Sequence, residues 1–149
     1  MTRNDQPLRA LRTLVQFDMA RIGAKVAQAA QRRAAAQRDV SESAQRCAAT
    51  AAQLRIATGQ SPLNPALLHV MQSMFRSESQ ALHDSRGRLA GAQQKEGQIR
   101  SRLAGLRNRE RSLEQALAAE RRKRQLQQQV RDLAIVDDLW LQQAWRELS

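Results

Sequence analysis

Cys47, His69 and His83 are the side chains of this chain best suited to nucleophilic or metal chemistry, and their spacing assembles neither. Zinc takes thiolates and imidazoles in close clusters. Here the two histidines stand fourteen residues apart, and the cysteine belongs to a different predicted helix. His69 reads as a residue near a turn, His83 as a surface residue, and Cys47 as a small buried one. Gly87, Gly91, Gly97 and Gly105 are scattered through a predicted helix rather than gathered into a loop that could cradle phosphate. The residues point to no catalytic group, no cofactor site and no metal site. We expect a protein that works by contact, not an enzyme.

Composition directs attention to the elements instead. The 149 residues are 42% hydrophobic, much of it alanine, and only 3% aromatic. Large apolar side chains are too few for a compact core of this size. Abundant Ala, Arg, Gln, Glu and Leu with few glycines is the mark of long helices or coiled coils. Strand formers do not alternate over any useful length, so no sheet is expected. One cysteine allows no internal disulfide, which fits a reducing compartment. No apolar run approaches the ~20 residues that span a bilayer. The start, MTRNDQPLRALRTL, lacks a signal-peptide core. These features predict a cytoplasmic protein.

One break is visible, Thr58-Gly59-Gln60-Ser61-Pro62-Leu63-Asn64-Pro65. Gly59 suits the left-handed residue that ends a helix. Asn64 before Pro65 suits an N-cap and first helical residue, and Ser61-Pro62 offers the same pair three residues earlier. The predicted fold is all-α: a long antiparallel two-helix coiled-coil hairpin over residues 1–149, with a C-terminal helical overhang. Helix one covers about 5–58, the turn about 59–64, and helix two about 65–147. At ~1.5 Å per residue the helices would be about 80 and 125 Å long.

The first helix carries a seam through Leu8, Leu11, Val15, Met19, Ile22, Val26 and Ala29. It continues through Arg33, Ala36, Val40, Ala44, Cys47, Ala51 and Leu54. Consecutive steps of four at Leu11-Val15-Met19 and Ala36-Val40-Ala44 predict two stutters. In the second helix, steps of three and four alternate unbroken from Phe75 to Glu120, and nine of those 14 positions are apolar. A short turn makes the pairing antiparallel, with residue i facing roughly residue 124 minus i. Arg33 then falls near Ala92, within reach of Glu96. From Glu120 onward the second helix has no partner, although it still carries Leu126, Val130, Leu133, Trp140 and Trp145. Apolar groups left unpaired within a chain call for an external partner.

The formal charge is +11, and all but Lys25, Lys95 and Lys123 of the 25 basic residues are arginine. The run Arg121-Arg122-Lys123-Arg124 reads either as a contact for nucleic acid or an acidic protein, or as a solvated face. No base-stacking aromatic lies within it, which argues against sequence-specific nucleic-acid binding. The following segment, Asp132 to Ser149, turns acidic and holds both tryptophans. Tryptophan is a common interface anchor. Docking to a partner, folding back and dimerisation are the alternatives for this tail.

The leucine-spaced start from Leu8-Arg-Ala-Leu11 through Ala20, and the tail from Val136-Asp137-Asp138-Leu139-Trp140 to Trp145-Arg146, resemble the FliJ/YscO family. These are central stalk proteins of flagellar export and type III secretion. The resemblance implies a stalk whose paired termini enter the pore of a hexameric secretion ATPase. Its hairpin tip would reach an export-gate protein, and export chaperones would be further partners. It places the protein at the cytoplasmic face of the inner membrane, reached through partners only. The ATPase-interface candidates it implies are Leu8, Leu11, Arg12, Val15, Arg121, Arg122, Arg124, Asp137, Asp138, Trp140 and Trp145. The tip candidates are Leu63, Leu67, Leu68, Met71 and Phe75. No small-molecule substrate is implied. Here the tryptophan pair departs from the family pattern. Two other readings stay open on the residues alone: a basic helical RNA- or ribosome-associated protein, and a generic coiled-coil adaptor.

Overall fold

The computed structural model describes residues 5–148; the first four residues of the MTRNDQPLRALRTL terminus and Ser149 lie outside the described residues. Two helices account for nearly all of it. Helix α1 is Asp5–Thr58, 54 residues, and α2 is Pro65–Leu148, 84 residues. No strand occurs among the described residues. Among the described residues no helix is long and apolar enough to cross a membrane.

The connection shows why the helices break where they do. Asn64 Oδ1 accepts hydrogen bonds from the amides of Ala66 at 3.1 Å and Leu67 at 3.3 Å. It thereby satisfies two amides of the first turn that have no helical acceptor, and Pro65 follows with no amide to satisfy. Of the two possible starts, Asn64-Pro65 is the one used. The other end differs from expectation. Gly59 is not left-handed, because no glycine has a positive φ. Its amide instead donates to the carbonyls of both Arg55, at 3.1 Å, and Ile56, at 3.2 Å. Such a shared bond tightens the last turn without a left-handed residue. The Thr58 hydroxyl adds a bond to the Arg55 carbonyl at 2.9 Å.

The chain divides into two compact units, and each is described by itself. One comprises Ala20–Ala104 and contains the turn. Here the less exposed positions of α2 recur as Leu68, Met71, Phe75, Glu78, Leu82 and Ser85, then Leu89, Ala92, Glu96, Ile99 and Leu103. The steps alternate four and three throughout, as a seam between two helices requires. On α1 the expected stutter at Ala36-Val40-Ala44 is absent. The seam runs Val40, Ser43, Cys47, Thr50, Leu54, Ala57, with Ser43 and Thr50 more buried than Ala44 and Ala51. Two small hydroxyl residues hold positions that a search for apolar residues passes over.

The contacts across this seam are antiparallel and polar at intervals. Ser43 Oγ and Ser85 Oγ lie 3.2 Å apart, and each residue is 2% exposed. Arg46 Nη2 and Arg88 Nη2 each donate to the serine three residues earlier, at 3.1 Å. Cys47 Sγ lies 3.6 Å from Ser79 Oγ. At the far end Glu96 is 5% exposed. Its Oε2 is 2.6 Å from Arg33 Nε and its Oε1 is 2.6 Å from Arg100 Nη2. The expected reach of Arg33 to Glu96 is present.

The second unit, described over residues 5–19 and 105–148, also pairs its helices antiparallel. Arg12 Nη2 donates to Glu114 Oε1 at 2.7 Å, and Gln16 Nε2 donates to Glu110 Oε1 at 2.9 Å. Again the expected stutter is missing. Leu8, Arg12, Val15 and Met19 are half-buried, while Leu11 is 49% exposed. The aliphatic stem of Arg12 holds the seam and its head reaches out to Glu114, as long cationic side chains do. The Arg12 Nε is enclosed with no hydrogen-bond partner. Residue numbers sum to 126 for Arg12–Glu114, Gln16–Glu110 and Cys47–Ser79, and to 128 for Ser43–Ser85. Arg46 Nε and Glu78 Oε2, 3.3 Å apart, sum to the expected 124, so these side-chain pairs lie at the expected register or within four residues of it.

Candidate interaction site

No group of three or more metal-ligating side chains converges among the described residues. Cys47 is half-buried and His69 and His83 are exposed, in separate surroundings. What the molecule offers is exposed apolar and cationic surface.

The longest such surface is the end of α2. Every residue from Gln125 to Leu148 is exposed. Leu126, Val130 and Leu133 are 62–65% exposed, Trp140 is 71% and Trp145 is 74%. Helix α1 starts at Asp5, and at a register near 126 it comes level with α2 only up to about residue 121. The predicted overhang is thus present as exposed helix from Gln125 to Leu148. Of the residues proposed for an ATPase interface, Arg121, Arg122, Asp137, Asp138, Trp140 and Trp145 are exposed. Arg124 is half-buried, at the last position that follows the seam spacing. Leu8 and Val15 are half-buried against α2 and present little free surface. Arg12 is committed to Glu114.

On α1 of the same unit, Leu14 and Phe17 are 62% and 70% exposed beside Leu11. They stand three residues apart and share a face away from the seam. Sequence reasoning followed the seam and passed them by. The signal that could have found them is apolar residues at helical spacing one position off the seam.

At the turn the candidates divide. Leu63 and Leu67 are exposed, at 55% and 40%. Leu68, Met71 and Phe75 are half-buried, because they are the first seam positions of α2. The exposed stripe is instead Leu63, Leu67, Val70 and Met74, with Ile56 on α1 at 66%. Steps of three and four keep Leu67, Val70 and Met74 on one face of α2, and Leu63 precedes the helix in the turn. Val70, Met74 and Ile56 are the tip residues that the sequence reading missed.

A groove of about 470 Å³ lies between the helices of the turn-bearing unit. Ala29, Gly91 and Ala92 form its floor, and Lys25, Arg32, Arg88 and Lys95 rim it with no carboxylate among the lining residues. Small residues at facing positions leave the space, since a Cβ added at Gly91 would meet nothing within 4 Å. No family model, no curated protein and no solved structure matches this chain.

Proposed function

We propose that the chain is a non-enzymatic central stalk component of a type III secretion export apparatus, folded as a two-helix antiparallel coiled coil. The exposed end of α2 carries this reading. A basic collar, Arg121 to Lys123, leads into an exposed segment that bears Asp137, Asp138, Trp140 and Trp145. Large apolar side chains so presented require a partner. Together with Leu11, Leu14 and Phe17 on α1, this end engages the hexameric secretion ATPase. The cationic collar complements acidic pore loops of the ATPase. The stripe Leu63, Leu67, Val70 and Met74 engages the export-gate protein, and export chaperones are further partners. The protein then acts at the cytoplasmic face of the inner membrane.

The test is stimulation of the cognate ATPase by the full chain and by a chain truncated after Glu120. The full chain is expected to raise ATP turnover and the truncated one to leave it at the basal rate. Equal stimulation by both would remove the tail from the mechanism.

A second reading, a helical RNA-associated protein, is favoured by the +11 charge and the cation-rimmed groove. It predicts RNA affinity that falls steeply with salt. Affinity that barely changes between 50 and 200 mM salt argues against it.

A further inference from the structure

We propose that the exposed end of α2 pairs with the same segment of a second copy, antiparallel, about a two-fold axis near Val130 and Leu133. The argument begins with spacing. Leu126, Val130, Leu133, Asp137 and Trp140 fall on one stripe at steps of four, three, four and three, apolar but for Asp137, and all are exposed. Such a stripe is a coiled-coil face without its mate.

Charge decides what the mate is. The N-terminal part of the stripe is flanked by Arg122 and Lys123, which with Ala119, Leu126, Val130 and Arg131 line a shallow surface depression. Its C-terminal part carries Asp137 and Asp138, both exposed. A parallel copy would set cations beside cations and carboxylates beside carboxylates. An antiparallel copy sets Arg122 and Lys123 of each chain within a helical turn of Asp137 and Asp138 of the other. The apolar residues meet in the middle. A surface complementary to itself under a half-turn is what a two-fold interface requires. The residues are helical and continuous with α2, so pairing needs no refolding.

This inference goes beyond the stalk reading and does not depend on it. The two share Asp137 and Trp140, so the dimer and the ATPase complex compete for one face.

The test uses the full chain alone, in sedimentation velocity from about 1 to 100 µM. A 16.8 kDa monomer is expected to shift towards twice that mass as concentration rises. Val130→Asp is expected to leave only monomer, with helical circular dichroism unchanged. The variant D137R/D138R is expected to weaken dimerisation at least tenfold or so, because each lost pair occurs twice in a two-fold dimer. Adding R122D/K123D to that variant swaps the charged ends, and dimerisation is expected to return to within about threefold of the starting value. A chain that stays monomeric at 100 µM overturns the proposal. So does a dimer indifferent to D137R/D138R. If the fully swapped chain remains monomeric, the antiparallel arrangement is wrong.

Discussion

Arg33 Nε reaches Glu96 Oε2 across the helix pair at 2.6 Å, in a seam position where Glu96 is 5% exposed. Arg100 holds the other carboxylate oxygen from the same helix. A carboxylate so placed costs free energy to desolvate, and its two arginines offset that cost while keeping their own heads partly in water. Glu96→Ala leaves two arginines without their anion and a gap in the seam. It is expected to cost about 1–3 kcal/mol in urea unfolding. Glu96→Leu restores an apolar seam and is expected to be neutral or stabilising. If Glu96→Leu is as damaging as Glu96→Ala, the network contributes more than register.

The serine pair predicts the opposite response to added volume. Ser43 and Ser85 are each 2% exposed with their hydroxyls 3.2 Å apart. Ser85→Leu is expected to destabilise by about 1–3 kcal/mol through overpacking. Ser43→Ala with Ser85→Ala is expected to cost less than the two single changes added together, since either single change already removes the contact the two hydroxyls share. Chemical denaturation of the three variants measures this directly.

Glycines at open helical positions give a gain instead. A Cβ added at Gly97 or Gly105 would meet nothing within 4 Å, and neither residue has a positive φ. Gly97→Ala and Gly105→Ala are each expected to stabilise by about 0.5–1 kcal/mol through helix propensity and reduced unfolded-state freedom. A thermal melt that falls on either substitution would show a requirement for local flexibility.

Stability and contact separate at the turn. Val70→Ser with Met74→Ser changes exposed side chains and is expected to shift unfolding free energy by less than about 0.5 kcal/mol. Phe75→Ala removes a half-buried seam side chain and is expected to cost about 2 kcal/mol, below the range for a fully buried phenylalanine. In a pull-down with the export-gate protein, the serine pair is expected to abolish capture while the protein stays folded. Retained capture would move the gate contact away from this stripe.

Much of the architecture was legible in the residues. Asn64-Pro65 and Ser61-Pro62 marked the start of α2 to within one turn because a cap and a proline act locally, and the bonds to Asn64 Oδ1 select the first pair. The α2 seam from Phe75 to Glu120 could be followed because nine of its 14 positions are apolar, and none of the 14 is exposed. On α1 the reading slipped where Arg12, Ser43 and Thr50 hold the seam. Their apolar or small neighbours Leu11, Ala44 and Ala51 drew the count one residue aside, and two apparent stutters followed. The overhang was visible by counting from Glu120, and exposure is complete from Gln125 to Leu148. The tip was harder, since Leu68, Met71 and Phe75 are as apolar as Leu67, Val70 and Met74. Only the phase of the seam tells the facing set from the free one.

The uninterrupted alternation on both helices has a consequence for how such a chain can change length. Removing one residue from α1 would rotate everything beyond it by about 100° and unseat Ser43 from Ser85. Removing seven from one helix restores phase but slides its partners out of register. Only matched removals or insertions of seven, one in each helix, keep both phase and register. From Gln125 to Leu148 every residue is exposed, so a change of length there displaces no buried seam position. Lineages of this protein should therefore vary in heptad pairs before that point and in single residues after it. Comparing the lengths of related chains would read this directly.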